Sequence, residues 1–360
     1  MRGPRRDRRP LFALVAAVVV LLGMEGAAWV AERMWPVPAR SLPTAQPGGD
    51  HRELKDQIRA VRRQTGASAL LTEDQLRGWG LPPNAQLTFG GTGLSTNSLG
   101  LRGPELAAKA PDEVRLFTLG DSSVFGYGVA DEEVFSSVAA IALQARWGVP
   151  VTAVIGGRPG YDSSQALALL EELGPRIAPD IVVVGTLWSD VYIDDPELSR
   201  LAETAPVRGV LRGSAAYRLM RRGLAPWLAA RQVRWIDSRD DVGDLDAASG
   251  RRTRVPLEQY VANLRRMVAV AEGLGATTAF VALPAPMDLD VVPVPQTILE
   301  YRAALEMVAA EAGAPWVDGP AWMRAHGGNI GWFLDQVHPN GRGHLALGAA
   351  LSESLAAHPR

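Results

Sequence analysis

The residues Gly120-Asp121-Ser122-Ser123 close the apolar stretch "VRLFTLG" and put two hydroxyls on a glycine-flanked turn. A serine at a strand-to-helix turn stands exposed above a sheet, where backbone N–H groups at the start of the next helix can stabilise a developing oxyanion. By itself it is a weak nucleophile and needs a base, most often histidine, within hydrogen-bond reach. The chain has five histidines and no cysteine, so disulfides, thiolate zinc sites and cysteine nucleophiles are excluded together. His51 falls in an N-terminal spacer and His358 in the C-terminal tail. The segment "FLDQVHPNGRGH" carries His338 and His344, and there Asp335 precedes His338 by three residues. On a helical or tight turn that spacing puts both side chains on one face, so the carboxylate can orient the imidazole and stabilise its protonated form. The alternative reading of the pair is Asp335 as a helix cap and His338 as a surface residue ahead of Pro339.

Two further segments end in residues of the right kind. "VIGGRPGYDSSQ" puts Gly156 and Gly157 where a backbone N–H can approach closely, and "VVVGTLWSDVY" ends in Ser189 and Asp190. Tyr127, Tyr161 and Trp188 fall near the same positions and are candidates to line an acyl or sugar pocket, with core or rim packing as the alternative for each. Arg158 is a candidate contact for an anionic group, or else a solvated loop residue. "GDSSVFG" lacks the lysine and glycine spacing of a phosphate-binding loop.

These residues need a frame. From Pro111 onward, apolar strands at "VRLFTLG", "VPVTAVIGG", "DIVVVGTLW", "TTAFVALP" and "PWVDG" alternate with helical patterns. The helices are expected at Glu132–Arg146, Ser163–Leu173, Leu257–Leu274, Gln296–Ala312 and Arg342–Ala356. Such alternation predicts βαβ units and a mostly parallel sheet covered on both faces, with ligands at the carboxyl ends of the strands. Between residues 194 and 255 the pattern weakens into arginine-rich and Trp-containing segments, read as an insertion that forms a lid or substrate rim, or a plain surface excursion.

Ahead of this frame, residues 1–10 carry five arginines and one acid, and the apolar run Leu11–Ala31 follows with Glu25 as its one charge. The run reads as a transmembrane signal anchor, with Trp29 and Trp35 at the far interface and residues 1–10 as a basic cytoplasmic segment. The competing reading is a cleaved signal peptide, with small residues at Gly26 and Ala28. Either reading puts the body of the protein outside the cytoplasm. Residues 32–95 read as a linker or spacer with a short polar helix at Asp50–Arg63, ahead of a domain spanning 96–358. The chain is 47% hydrophobic and 21% charged with a net charge of −2, which suits a large globular core and offers no concentrated basic face for nucleic acid.

In order along the chain, "TNSLGLRGPE", "LGDSSVFGYGV", "GGRPGYDSSQ", "PDIVVVGTLWSDV" and "DQVHPNGRGH" resemble the sequence blocks of the SGNH hydrolases, the GDSL-type esterase/acylhydrolase superfamily, in its membrane-anchored bacterial form. The resemblance runs from Thr96 to Ala350. It implies a flavodoxin-like three-layer α/β/α sandwich with Ser122 as nucleophile, His338 as base and Asp335 as the residue that orients it. Ser123 matches a variable position of the motif. The resemblance also implies an oxyanion hole built from the Ser122 N–H, the Gly157 N–H and a third-block asparagine amide, and here that asparagine is Ser189. Loss of one oxyanion donor costs about 3 to 4 kcal/mol, or ~100 to 1000-fold in rate. A substitute donor, a slow enzyme or a lost activity are the three outcomes this departure allows, and the presence of serine, aspartate and histidine together favours the first two.

The function expected is an extracytoplasmic serine esterase acting on an acyl ester, such as the O-acetyl groups of a polysaccharide or a lipid ester, with no metal or organic cofactor. An O-acyltransferase of envelope polysaccharide differs from it mainly in water access to the acyl-enzyme. A catalytically degenerate polysaccharide-binding protein is the third reading, and it predicts that Ser122→Ala leaves function intact.

Overall fold

The computed structural model describes residues 20, 22–31, 34, 72–74, 78–89, 92–191, 214–216, 253–289 and 293–358. Among them, short antiparallel pairs join β1 (Thr72–Asp74) to β2 (Gly78–Gly80) and β3 (Gln86–Phe89) to β4 (Thr92–Ser95). The main sheet contains β5 (Val114–Gly120), β6 (Val151–Ile155), β7 (Ile181–Gly185), β8 (Thr277–Ala282) and β9 (Trp316–Asp318), every neighbouring pair parallel. Its order is β6-β5-β7-β8-β9. Counted from its own first strand this is 2-1-3-4-5, the flavodoxin-like order, whose direction reverses between β5 and β7 and opens a crevice at their carboxyl ends. Both strands, "VRLFTLG" and "IVVVG", are buried along their whole length, as mostly apolar strands are when helices cover both faces.

The helices are α1 (Ser122–Phe125), α2 (Phe135–Trp147), α3 (Ser163–Ile177), α4 (Trp188–Val191), α5 (Leu257–Gly273), α6 (Gln296–Glu311), α7 (Gly319–Ala325) and α8 (Gly341–Ala356). α2 packs with α8 on one side of the sheet, and α3, α5 and α6 pack together on the other, making three layers. The sequence pattern locates these strands and long helices to within a few residues. Asp162 caps α3 through a reciprocal pair with Gln165, and Asn340 caps α8 by accepting from the Arg342 and Gly343 N–H groups.

The expectation of an N-terminal transmembrane helix is corrected. Among the described residues, no helix is long and apolar enough to cross a membrane. Of the run Leu11–Ala31, residues 20 and 22–31 are described, and they are helical. In their midst the Glu25 carboxylate accepts hydrogen bonds from Ser214 Oγ (2.6 Å) and from the backbone N–H groups of Ala215 and Ala216. Ala28 is buried. A carboxylate bonded to protein backbone halfway along a helix fits contact with the chain itself, since a charge in lipid carries a heavy desolvation cost.

The basic segment 1–10, Trp35, the helix expected at Asp50–Arg63 and all of the 194–255 insertion except 214–216 and 253–255 lie outside the described residues. Within the stretch read as spacer, the β3–β4 pair packs Leu81, Leu87 and Leu94 against Phe125 of α1, with Tyr127 alongside. Thr92 Oγ1 donates to the Gly128 carbonyl at 3.0 Å, which fastens the pair to the loop that leaves α1.

Candidate active site

At the carboxyl end of β5 the chain turns through Gly120 into α1. A Cβ on Gly120 would stand 2.3 Å from the Gly185 carbonyl oxygen of β7, so no side chain fits between the two strand ends. Asp121 follows, fully buried, as the N-cap of α1. Its carboxylate accepts from the Ser123 N–H (2.9 Å) and the Trp188 N–H (3.0 Å), and also from the Ser189 N–H. One side chain thus joins the turn after β5 to the turn after β7. Burial pushes its pKa up to about 6, against the pull of these bonds.

Ser122 and Ser123 leave this turn in different directions. Ser122 Oγ–H donates to His338 Nε2 at 2.7 Å, and His338 Nδ1–H donates to Asp335 Oδ2 at 2.7 Å. This tautomer is the one a carboxylate at Nδ1 selects. Asp335 Oδ1 meanwhile accepts from the backbone N–H groups of Val337 (3.0 Å) and His338 (2.9 Å), so the carboxylate grips both the ring and the main chain of His338. Burial would raise the Asp335 pKa, but the imidazole and the two amides outweigh it and hold the group at about 2. The His338 side chain is 16% exposed and that of Asp335 30%, so the triad sits at the surface of the crevice. Tyr127 lies over the imidazole, its ring centroid 4.6 Å from that of His338 at a 31° tilt.

Gly157 stands against α1, and its N–H has no acceptor among the described residues. Its neighbours are engaged: the Gly156 N–H donates to the Thr118 carbonyl (2.8 Å) and the Arg158 N–H to the Gly120 carbonyl (3.0 Å). The loop after β6 is thereby locked beside the turn that carries Ser122. Ser189 is 2% exposed, and its hydroxyl makes no hydrogen bond among the described residues. Asp190 turns away from the triad and accepts from the Ser163 N–H (2.9 Å) at the start of α3; burial and the neighbouring Asp162 push its pKa well up.

Other candidates are placed elsewhere. Tyr161 and Trp188 are 1% and 2% exposed within the main core, so of the three aromatic candidates it is Tyr127 that meets the triad. The Arg302 guanidinium lies 5.6 Å from the Trp188 ring centroid. Arg158 is buried rather than solvated and donates to the Gly100 carbonyl (2.6 Å). His344 is buried, accepts from the Phe135 N–H (3.2 Å), and is kept neutral by burial, which lowers its pKa to about 3. His326 stacks on Trp322, and His358 bonds the Ser354 carbonyl. His51 lies outside the described residues. Among the described residues, no cluster of three or more histidines and carboxylates is arranged to hold a metal.

Two contacts at the site, made by Arg102 and Ser123, carry no signal in the sequence. Arg102, in "SLGLRGPE", is 3% exposed. Its guanidinium donates to the carbonyls of Phe125 (2.8 Å), Gly126 (2.6 Å) and Val129 (2.5 Å) and to Asp131 (2.6 Å), clamping the end of α1 and the loop that carries Tyr127. Ser123 is 1% exposed, and its hydroxyl donates to the Val337 carbonyl at 2.9 Å. No local signal announces that bond, because its partner lies 214 residues away.

The chain matches no protein-family profile and no curated protein. Among solved structures it is similar to the acetylxylan esterase Axe2 from Geobacillus stearothermophilus, at 17% identity over 68% of this chain and 95% of that one, with a TM-score of 0.45. It is likewise similar to LAE5, an alpha/beta hydrolase enzyme from the metagenome of Lake Arreo, Spain, at 15% identity, covering 69% and 97% of the two chains, with a TM-score of 0.46. TesA matches at 18% identity, covering 67% and 97%, with a TM-score of 0.43.

Proposed function

We propose that the protein is a serine hydrolase of carboxylic esters. The observation that carries this reading is the relay from Ser122 Oγ to His338 Nε2 and from His338 Nδ1 to Asp335, each step 2.7 Å long. Ser122 Oγ attacks the ester carbonyl while His338 Nε2 takes its proton, and Asp335 steadies the imidazolium that forms. His338 then gives the proton to the departing alcohol. In the second half, water attacks the acyl carbonyl, His338 takes a proton from that water and returns it to Ser122 Oγ, and the carboxylic acid leaves. The Ser122 and Gly157 N–H groups are the donors assigned to the oxyanion, with the Ser189 hydroxyl in the third place. Support for these roles comes from the locked glycine loop beside α1 and from the Asp121 carboxylate that binds both the α1 turn and the Ser189 backbone.

The crevice opens where the sheet order reverses, the usual place for a ligand in such a sheet, and Tyr127 supplies an apolar face beside the base. We assign acyl esters as the substrate class. The arginine-rich start and the apolar run after it support export of the domain, which cell fractionation tests. The reading of the chemistry is tested by p-nitrophenyl acetate turnover in wild type, Ser122→Ala and His338→Ala. Turnover that both substitutions remove is the expected result. Equal rates in wild type and Ser122→Ala would contradict it. Acetylated oligosaccharide and lysophospholipid, offered in parallel, then distinguish the leaving alcohol.

A further inference from the structure

Consecutive hydroxyls on α1 hold consecutive residues of the base loop. Ser122 Oγ holds the His338 ring, and Ser123 Oγ–H donates to the Val337 carbonyl. That carbonyl belongs to the peptide unit whose N–H, on His338, donates to Asp335 Oδ1 at 2.9 Å. The peptide just before the base is therefore pinned from both sides, by Ser123 on its oxygen and by Asp335 on its nitrogen. Ser123 is itself held, since its own N–H donates to Asp121 Oδ1 at 2.9 Å and its side chain is buried. Among the described residues, the two serine hydroxyls are the hydrogen-bond links from α1 to residues 335–338; the bond from the Leu334 N–H to the His338 carbonyl (2.8 Å) is internal to the loop.

The two links differ in chemistry. Ser122 holds His338 through the proton that it gives up on attack. Once Ser122 Oγ has become an ester oxygen it has no proton to donate, and its link to the imidazole is gone for the lifetime of the acyl-enzyme. We infer that Ser123 is a positioning residue for deacylation: its hydroxyl keeps the base loop seated on α1 while Ser122 is esterified, so that His338 can take the proton of the attacking water. The inference rests on the ester-hydrolase reading above. During acylation both links are present, and loss of Ser123 matters less. During deacylation it is the remaining one.

The test separates the two half-reactions with p-nitrophenyl acetate. kcat/KM reports acylation, and decay of the acetyl adduct on Ser122 after rapid substrate removal, followed by acid quench and intact mass, reports deacylation. Loss of one such hydrogen bond is worth about tenfold in rate. Ser123→Ala is expected to slow adduct decay about tenfold while kcat/KM falls less than about threefold. Ser123→Thr, which keeps the hydroxyl, is expected to restore decay to near the wild-type rate. A merely structural role would lower both rates together. Equal loss in both rates, unchanged decay in Ser123→Ala, or a Ser123→Thr variant as slow as Ser123→Ala overturns the inference. A wild type without turnover or adduct fails the hydrolase reading itself, which is a different result.

Discussion

Gly157 lies so close to α1 that a Cβ on it would stand 2.4 Å from the Phe125 nitrogen. The atoms it would strike are backbone, of Val124 and Phe125, and they cannot swing aside as a side-chain end can. Gly157→Ala must therefore push the loop after β6 away from the nucleophile turn. On the proposed oxyanion role of the Gly157 N–H, kcat is expected to fall by about 100-fold or more while the unfolding transition stays cooperative. Steady-state kinetics beside a thermal melt measures both, and an alanine variant of wild-type activity would remove Gly157 from the oxyanion site.

Asp335→Asn keeps an acceptor oxygen for the Val337 and His338 amides but loses the charge that selects the Nδ1–H tautomer. The loop should hold its shape while kcat drops by about 10³ to 10⁴-fold. In the wild type Asp335 stays ionised down to about pH 2, so the acid limb of the pH–rate profile does not belong to it. Its stabilising effect is full above the ordinary carboxylate range near 3.8 and is lost as pH falls through about 2. A wild-type profile recorded down to pH 4 should be insensitive to this group.

Asp121 works in the opposite sense. Its pKa in the fold is about 6, above the ordinary 3.8, so between these values the folded chain holds a proton that the unfolded chain has released. This group alone makes stability decline as pH rises from about 4 to 6, by on the order of 3 kcal/mol in total, and adds no further slope above that window. Urea midpoints of wild type and Asp121→Asn across pH 4 to 8 measure it. The gap between the two proteins should change within the window and level off above it; a constant gap would show that Asp121 does not titrate there.

Arg102 satisfies three backbone carbonyls and Asp131 from a buried position. Arg102→Met leaves the buried Phe125 and Val129 carbonyls without this donor, while the Gly126 carbonyl keeps the Val129 N–H (3.3 Å) and Asp131 is part-exposed. It is expected to cost about 2 to 5 kcal/mol of stability, at ~1 to 3 kcal/mol for each buried acceptor left unsatisfied, with Arg102→Lys falling between it and wild type because an ammonium cannot fork to four acceptors. Denaturant unfolding measures the loss. A Met variant within 1 kcal/mol of wild type, a margin typical of exposed pairs, would show that the clamp contributes little.

Chemistry that sits within a few consecutive residues could be read from the sequence, and chemistry that depends on distant packing could not. The Ser122 turn follows an unbroken apolar strand, and Asp335 and His338 lie three residues apart, so both halves of the triad carry local signals. The motif resemblance singles out Ser122, but nothing local announces that the Val337 carbonyl, far along the chain, takes up the Ser123 hydroxyl. Arg158 reads as a solvated loop arginine, and Arg102 draws no reading, because nothing nearby in the sequence reveals the backbone carbonyls that they bond. Trp188 and Tyr161 follow strand ends as pocket residues would, yet their local backbone turns them into the core. The β3–β4 pair had a usable signal in the two glycines between Phe89 and Thr92, which the proline-rich setting obscured. The apolar N-terminal run shows the reverse case, since hydropathy alone did not anticipate that Glu25 bonds Ser214 and the amides beside it.

The most direct test of the nucleophile is covalent. Wild type, Ser122→Ala, Ser123→Ala and His338→Ala are treated with a fluorophosphonate, and the adduct is located by peptide mass spectrometry. A 2.7 Å bond from Ser122 to a carboxylate-oriented imidazole predicts one adduct, on Ser122, in wild type and in Ser123→Ala, with none in Ser122→Ala and little in His338→Ala. An unlabelled wild type, or an adduct on Ser123, would contradict it.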